Sequence, residues 1–212
     1  MNAPIPQWLG FCDYAEVLEA MRDYTRHRDA QSNDYLWFLE HASVYTLGLN
    51  GDVRHLLGHS MDPVIRSDRG GQITWHGPGQ LMIYTLLDLR RHNLGIKQMI
   101  QTLELMIIDL MAQFGIKATT REGAPGVYVD QKKLASVGLK VSRGCAYHGI
   151  GLNVNADLRH FDLINPCGYE GLSMTSLQEL GIHTHPEALT SCLSLLLNQR
   201  LGLPSNHHLQ RG

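Results

Sequence analysis

Residues 81–87, LMIYTLL, are apolar on whichever face an extended chain would present. A run of this length is far short of the ~20 residues that span a bilayer, and it reads as a central strand buried on both sides. Such a strand needs covering layers, and helical periodicity supplies them. Asp13 with Glu16 resembles a capping box, and Tyr14, Val17, Leu18, Met21 and Tyr24 recur at helical spacing, which predicts a helix from about 13 to 30. Met99, Ile100, Leu103, Met106, Ile107, Leu110, Met111 and Phe114 form one stripe between Lys97 and Phe114, with Gly115 placed to end it. HPEALTSCLSLLLNQRLG predicts a last helix, with Pro186 in its first turn.

The remaining strand candidates are DYLWFLEH, SVYTLG, a hairpin GVYVDQKKLASVGLKV turning at Asp130–Lys132, and YHGIGLNVN. Strands and helices interleave, but the hairpins and long loops spoil a regular βαβ rhythm. The expected fold is therefore α/β, a single mixed-sheet domain flanked by helices. It should occupy 1–204, leaving 205–212 as a flexible C-terminal tail.

The 212 residues carry a formal net charge of −2, which provides no global basic field for nucleic acid. The opening MNAPIPQWLG lacks the basic region of a signal peptide, and a cytoplasmic chain without a membrane partner is expected. Cys12, Cys145, Cys167 and Cys192 form no CxxC pair, so no disulfide framework is expected. Cys145, His148 and Cys167 have suggestive spacing for zinc but lack a fourth ligand at any usual distance, so no metal is expected.

Three stretches carry chemistry. RGGQITWHGPGQ holds four glycines and a proline between two strands, more than a hairpin turn requires; glycine lets backbone N–H groups approach a ligand closely. It matches neither GxxxxGK[ST] nor GxGxxG. In KKLASVGLKV, Lys132 reads as a solvated charge. Lys133 begins a strand, and period-two alternation groups it with Ala135 and Val137 on an inner face. In DLINPCGYEG, Cys167 lies in a turn rather than in a core. A lysine reaching it would favour the nucleophilic thiolate, whereas His148 or His76 would make a protease-like dyad. The residues alone leave these open.

Taken together, RGGQITWHGPGQL, KLASVGLKV followed by YHGIGLNVN, and INPCG followed by TSL resemble the lipoyl(octanoyl) transferases, in order and spacing, from about Tyr45 to Leu180. YTLGLNGD departs mildly near Leu49. The resemblance implies a biotin/lipoate protein ligase catalytic-domain fold. It also implies transfer of octanoyl from octanoyl-acyl carrier protein to a lysine of the lipoyl domains of 2-oxoacid dehydrogenase E2 subunits or of the glycine-cleavage H protein. Cys167 would carry the acyl group as a thioester and Lys133 would be its partner. Arg69, Gly70, Gly71, Gln72, Ile73, Thr74, Trp75 and His76, then Ser136, Val137 and Gly138, then Gly149, Ile150 and Gly151, would contact substrate. Exchange between thioesters is nearly isoenergetic, so no ATP or other cofactor is expected. Acidic partners would call for basic residues at the mouth, with Arg66, Arg69, Lys132, Lys140 and Arg143 as candidates. The rival readings are an ATP-dependent lipoate or biotin ligase, a non-catalytic acyl- or lipoyl-binding module, and a cysteine protease.

Overall fold

The computed structural model describes residues 2–204; the expected tail at 205–212 lies outside the described residues. The apolar run 81–87 forms the middle of β6 (Gln80–Asp88), every residue of which is buried. It pairs antiparallel with β2 (Tyr35–His41) on one side and β9 (Cys145–Asn153) on the other. Beyond β9 lie β8 (Lys132–Ser142) and β7 (Gly126–Val129); beyond β2 lies β1 (Ile5–Cys12). β1 runs parallel to β2 and all other pairs are antiparallel, which makes the six-stranded sheet mixed. A second sheet orders β4 (Val64–Arg66), β3 (Val44–Leu47) and β5 (Ile73–His76).

Alternation along β6 divides the two sides. Leu81, Ile83 and Leu87 pack with α2 (Ile96–Gln113) and α3 (Thr190–Arg200) in one apolar cluster. Met82, Tyr84 and Leu86 pack with α1 (Tyr14–His27) in another. Met99, Leu103, Met106, Ile107, Leu110 and Met111 of the predicted stripe are buried on α2, Ile100 is half-buried, and Phe114 falls just past the helix and is exposed; Gly115 follows with φ 71°. At α1 the Asp13 side chain accepts the N–H groups of Ala15 and Glu16 at 2.8 and 3.1 Å. The helix stops at His27, short of the expected 30. The buried Arg28 donates to Asp34 at 2.5 Å and to the Leu86 carbonyl, and this pulls the chain off the helical path.

Ile73–His76, inside the stretch read as a glycine-rich loop, forms the strand β5, and β1 was not foreseen from sequence. Its residues alternate between exposed and half-buried, and Pro6 is tolerated because the strand lies at a sheet edge. The hairpin turn is Asp130–Gln131, at φ 45° and 70°, the left-handed pair that a two-residue turn requires, so β8 already begins at Lys132. Among the described residues no helix is long and apolar enough to cross a membrane.

Candidate active site

Between α1, the three-stranded sheet and the cavity-facing side of β6, β9 and β8 lies a cavity of about 550 Å³. The strands leave this space because their inward positions lack bulk. Ser136 is paired with Gly151 and Gly138 with Gly149, so three glycines and a serine stand where side chains would otherwise fill the volume. The glycine-rich loop closes the cavity from above. Gly70 N–H donates to the Leu139 carbonyl at 3.0 Å, and a Cβ on Gly138 would come within 3.1 Å of the Gly70 carbonyl. Any side chain at Gly138 would press that loop away.

Two irregularities bring titratable groups into this space. Val127 pairs with Ala135 and Tyr128 with Lys133, so Leu134 is an extra residue on β8. The bulge breaks the alternation that would group Lys133 with Ala135. Ala135 stays in the core, while Lys133 lines the cavity, 1 % exposed. On β9 the same parity would send His148 to the core with Ile150 and Leu152. A φ of 62° turns its ring instead to stack on Tyr147 and face the cavity.

Cys167 reaches the cavity from the segment Pro166–Gly168, a tight 3-10 turn with Pro166 at its start. It adopts φ 57° and ψ 17°, a conformation costly for a residue bearing a Cβ and frequent at functional sites. The turn is held by Gly168 N–H to the Asn165 carbonyl (2.9 Å) and by Asn165 N–H to the His55 carbonyl (2.8 Å). Here the sequence-distant lysine and cysteine meet: Lys133 Nζ donates to Cys167 Sγ at 3.1 Å. His148 is bound to Asp68 at 2.8 Å, and His76 to Gln80 and Thr46, so neither makes a dyad with Cys167.

Arg69 is buried beside the cavity and pairs with no carboxylate among the described residues. It donates to the Thr46 carbonyl and hydroxyl, each at 2.7 Å, and to the Gly70 carbonyl at 2.9 Å. Burial pulls it below the usual arginine range, and the nearby Cys167 sulfur acts in the opposite direction. Two cationic side chains, Lys133 and Arg69, therefore face one sulfur. Near them burial favours the neutral form of His41, His76 and His148. Burial holds His41 at about 4; burial and the Arg69 charge hold His76 well below its ordinary value. His41 Nδ1 faces the Cys12 carbonyl, which can only accept, so Nε2 receives the Tyr84 hydroxyl at 2.8 Å. Burial would raise the carboxyl of Asp68, but hydrogen bonds from His148, Tyr147 and Arg22 outweigh it and hold it well below the usual range.

The other expected residues divide by strand parity. Gly70, Gly71, Gln72, Thr74, His76, Ser136, Gly138, Gly149 and Gly151 line the cavity with Arg69, and Val137, which packs against the main core, also borders it. The side chains of Ile73 and Trp75 turn into the core beneath the three-stranded sheet, and that of Ile150 into the main core, which leaves only their backbones to touch a ligand. Among the proposed basic residues, Lys132 and Arg66 are exposed, whereas Arg143 is spent elsewhere. Its guanidinium donates to the Thr25 carbonyl at 2.6 Å and to that of Arg26, which caps the end of α1. Cys145, His148 and Cys167 do not gather: Cys145 is buried near Arg90, His148 is held by Asp68 and Cys167 by Lys133.

Sequence reasoning missed Tyr14, Met82 and Tyr84, although Gln80, Met82 and Tyr84 share one parity and could have been assigned to the cavity face. It also missed His55, Ile96, Ile100 and Tyr169, whose positions depend on long-range packing.

The chain matches the lipoyl protein ligase A/B catalytic domain over residues 13–193. It is 52% identical over 174 residues to an octanoyltransferase of Methylococcus capsulatus, covering 82% of this chain and 84% of that one. It is 50% identical over 189 residues to an octanoyltransferase of Alkalilimnicola ehrlichii, covering 89% and 88%. Among solved structures, a lipoate-protein ligase A bound with ATP superposes with a TM-score of 0.80 at 12% identity, covering 98% of this chain and 89% of that one. The bipartite lipoate protein ligase of Thermoplasma acidophilum, described with its E2 lipoyl domain, superposes at 0.75 with 13% identity, covering 98% and 87%.

Proposed function

Because this chain belongs to the lipoyl protein ligase A/B catalytic-domain family and catalyses octanoyl transfer in protein lipoylation, we propose that it works in two steps through an acyl thioester on Cys167. The donor is octanoyl-acyl carrier protein, and the acceptor is a lysine of a lipoyl domain. The observation that carries this reading is the 3.1 Å contact from Lys133 Nζ to Cys167 Sγ at the wall of a largely apolar cavity.

In the first step the Cys167 thiolate attacks the donor's thioester carbonyl. The carbon–sulfur bond to Cys167 forms, the donor's carbon–sulfur bond breaks, and the donor's arm leaves as a thiol after taking a proton from Lys133, which is left as the neutral amine. Lys133 as an ammonium, with Arg69 behind it, favours the attacking anion. In the second step the acceptor's amine attacks the Cys167 thioester. The amide forms, Cys167 departs, and the amine's proton returns to the site, where Lys133 is placed to carry it. The row Gly138, Gly149 and Gly151 leaves room for the acyl chain.

Intact mass spectrometry after mixing with octanoyl-acyl carrier protein tests the reading. A gain of one octanoyl group, absent in Cys167→Ala, supports it. Product from free octanoate, ATP and magnesium, without acyl-enzyme, would instead favour the ligase chemistry named for the structural neighbours.

A further inference from the structure

Glu104 is a carboxylate in a place where packing calls for none. It lies on α2 beside Leu103, Met106 and Ile107, which belong to the main core, and it is 8 % exposed. A buried carboxylate costs free energy that a methionine or leucine there would not, unless something nearby repays its lost hydration. Its Oε1 accepts the N–H of Gly126 at 2.7 Å. Gly126 is also where the end of Lys133 passes: a Cβ on Gly126 would lie 2.5 Å from Lys133 Cε and 3.3 Å from Nζ. Glu104, Gly126, Lys133 and Cys167 thus form one contiguous line from the core to the nucleophile.

We propose that Glu104 is a positioning residue for Lys133: it fixes the Gly126 backbone over which the lysine runs, and its charge keeps Lys133 an ammonium against Cys167. The inference rests on the acyl-cysteine reading above. Burial pushes the Glu104 carboxyl up, while the Gly126 N–H and the charge of Lys133 pull it back. The other groups facing this line are the Tyr128 ring, 5.4 Å from Lys133 Nζ, and Arg121 over that same ring. Arg69 and His55 stand near the Cys167 turn. Asp68 lies on the far side of the cavity, taken up by His148, Tyr147 and Arg22, so along this line Glu104 is the carboxylate that faces Lys133.

Removing the carboxylate makes the site more positive. The thiolate then forms at lower pH, and the ammonium is lost at lower pH, so both limbs of the profile move the same way. Glu104→Gln keeps an oxygen for the Gly126 N–H and deletes only the charge. Iodoacetamide labelling of Cys167 and kcat/KM for transfer, each followed against pH, should move to lower pH by about half a unit or more. Glu104→Met, of similar volume, removes the acceptor for Gly126 as well as the charge; it should move the profile in the same direction, and serves if the glutamine variant folds poorly. In a Lys133→Met background the shift from Glu104→Gln should shrink. Profiles that superpose on the parent, or a shift of equal size with Lys133 absent, would overturn the proposal. Failure of the acyl-cysteine reading would show separately, as turnover retained by Cys167→Ala.

Discussion

The two faces of the six-stranded sheet are built from the same strands and serve opposite ends. Under α2 and α3 the face is a closed apolar core. Under α1 and the small sheet it carries Tyr84 and His148, which line a cavity together with Tyr14 of α1, Arg69 and His76. β9 alone gives Ile150 and Leu152 to the first and Gly149 and Gly151 to the second. Period-two alternation lets one strand brace a core while leaving a hole on its other side. Two departures from regular backbone, the bulge at Leu134 and the left-handed His148, move a titratable group onto the cavity face, whereas a third, between Trp8 and Gly10 in the edge strand β1, brings none.

If the faces divide stability from chemistry in this way, substitutions should sort accordingly. The largest effect is expected at Lys133: Lys133→Ala should lower kcat/KM for octanoyl transfer by ~10²–10³-fold with little change in Tm, whereas Lys132→Ala should stay within about twofold. Comparable loss from the two lysines would mean that the bulge does not select which of them reaches the site. Leu103→Ala, on the dry face, should cost about 2–5 kcal/mol in denaturant unfolding while the folded fraction keeps its kcat. A kcat that fell together with stability would blur the division.

The cavity face should carry a pH cost. His41 sits at about 4 when folded, below its ordinary 6.5, so between those values the unfolded chain binds more protons. Stability therefore rises with pH across that window, and up to about 3 kcal/mol present above pH 6.5 is lost on reaching pH 4. His41→Gln should flatten the slope of unfolding free energy against pH; an unchanged slope would place that cost on His76 and His148 alone. Next in size, Gly151→Val should reduce transfer by ~10-fold or more while leaving stability within about 1 kcal/mol, because its side chain would crowd Gln80 Oε1 and Met82 Sδ, both 3.1 Å from the Cβ position. Retained activity with an eight-carbon chain would show that the acyl group lies elsewhere. The smallest effect belongs to the rim: kcat/KM for the carrier-protein substrate should fall a few-fold as salt rises, and Lys140→Glu should mimic it. A flat profile would remove electrostatic docking.

Much of this was legible in the chain. The run 81–87, the α2 stripe and the turn at Cys167 follow from local pattern and were found where the structure has them. The pairing of Lys133 with Cys167 was legible only through family resemblance, because the lysine's orientation depends on a one-residue bulge that no spacing rule reveals. β1 escaped because an edge strand needs no strong apolar pattern, and Arg143 misled because an exposed-looking cation can be consumed by helix-end carbonyls. Glu104 left only a weak trace, a carboxylate flanking an apolar stripe; its meaning required the packing of α2 against Gly126.

The central claim is that the lysine and cysteine joined by the bulge and the strained turn form one acyl-transfer centre. It is tested most directly by trapping the protein after mixing with octanoyl-acyl carrier protein and mapping the adduct by peptide mass spectrometry. The account predicts one octanoyl group, released by neutral hydroxylamine, on Cys167 and passed on to a lipoyl-domain lysine when that acceptor is added. An adduct on Cys12, Cys145 or Cys192, or full turnover by Cys167→Ala, would contradict it.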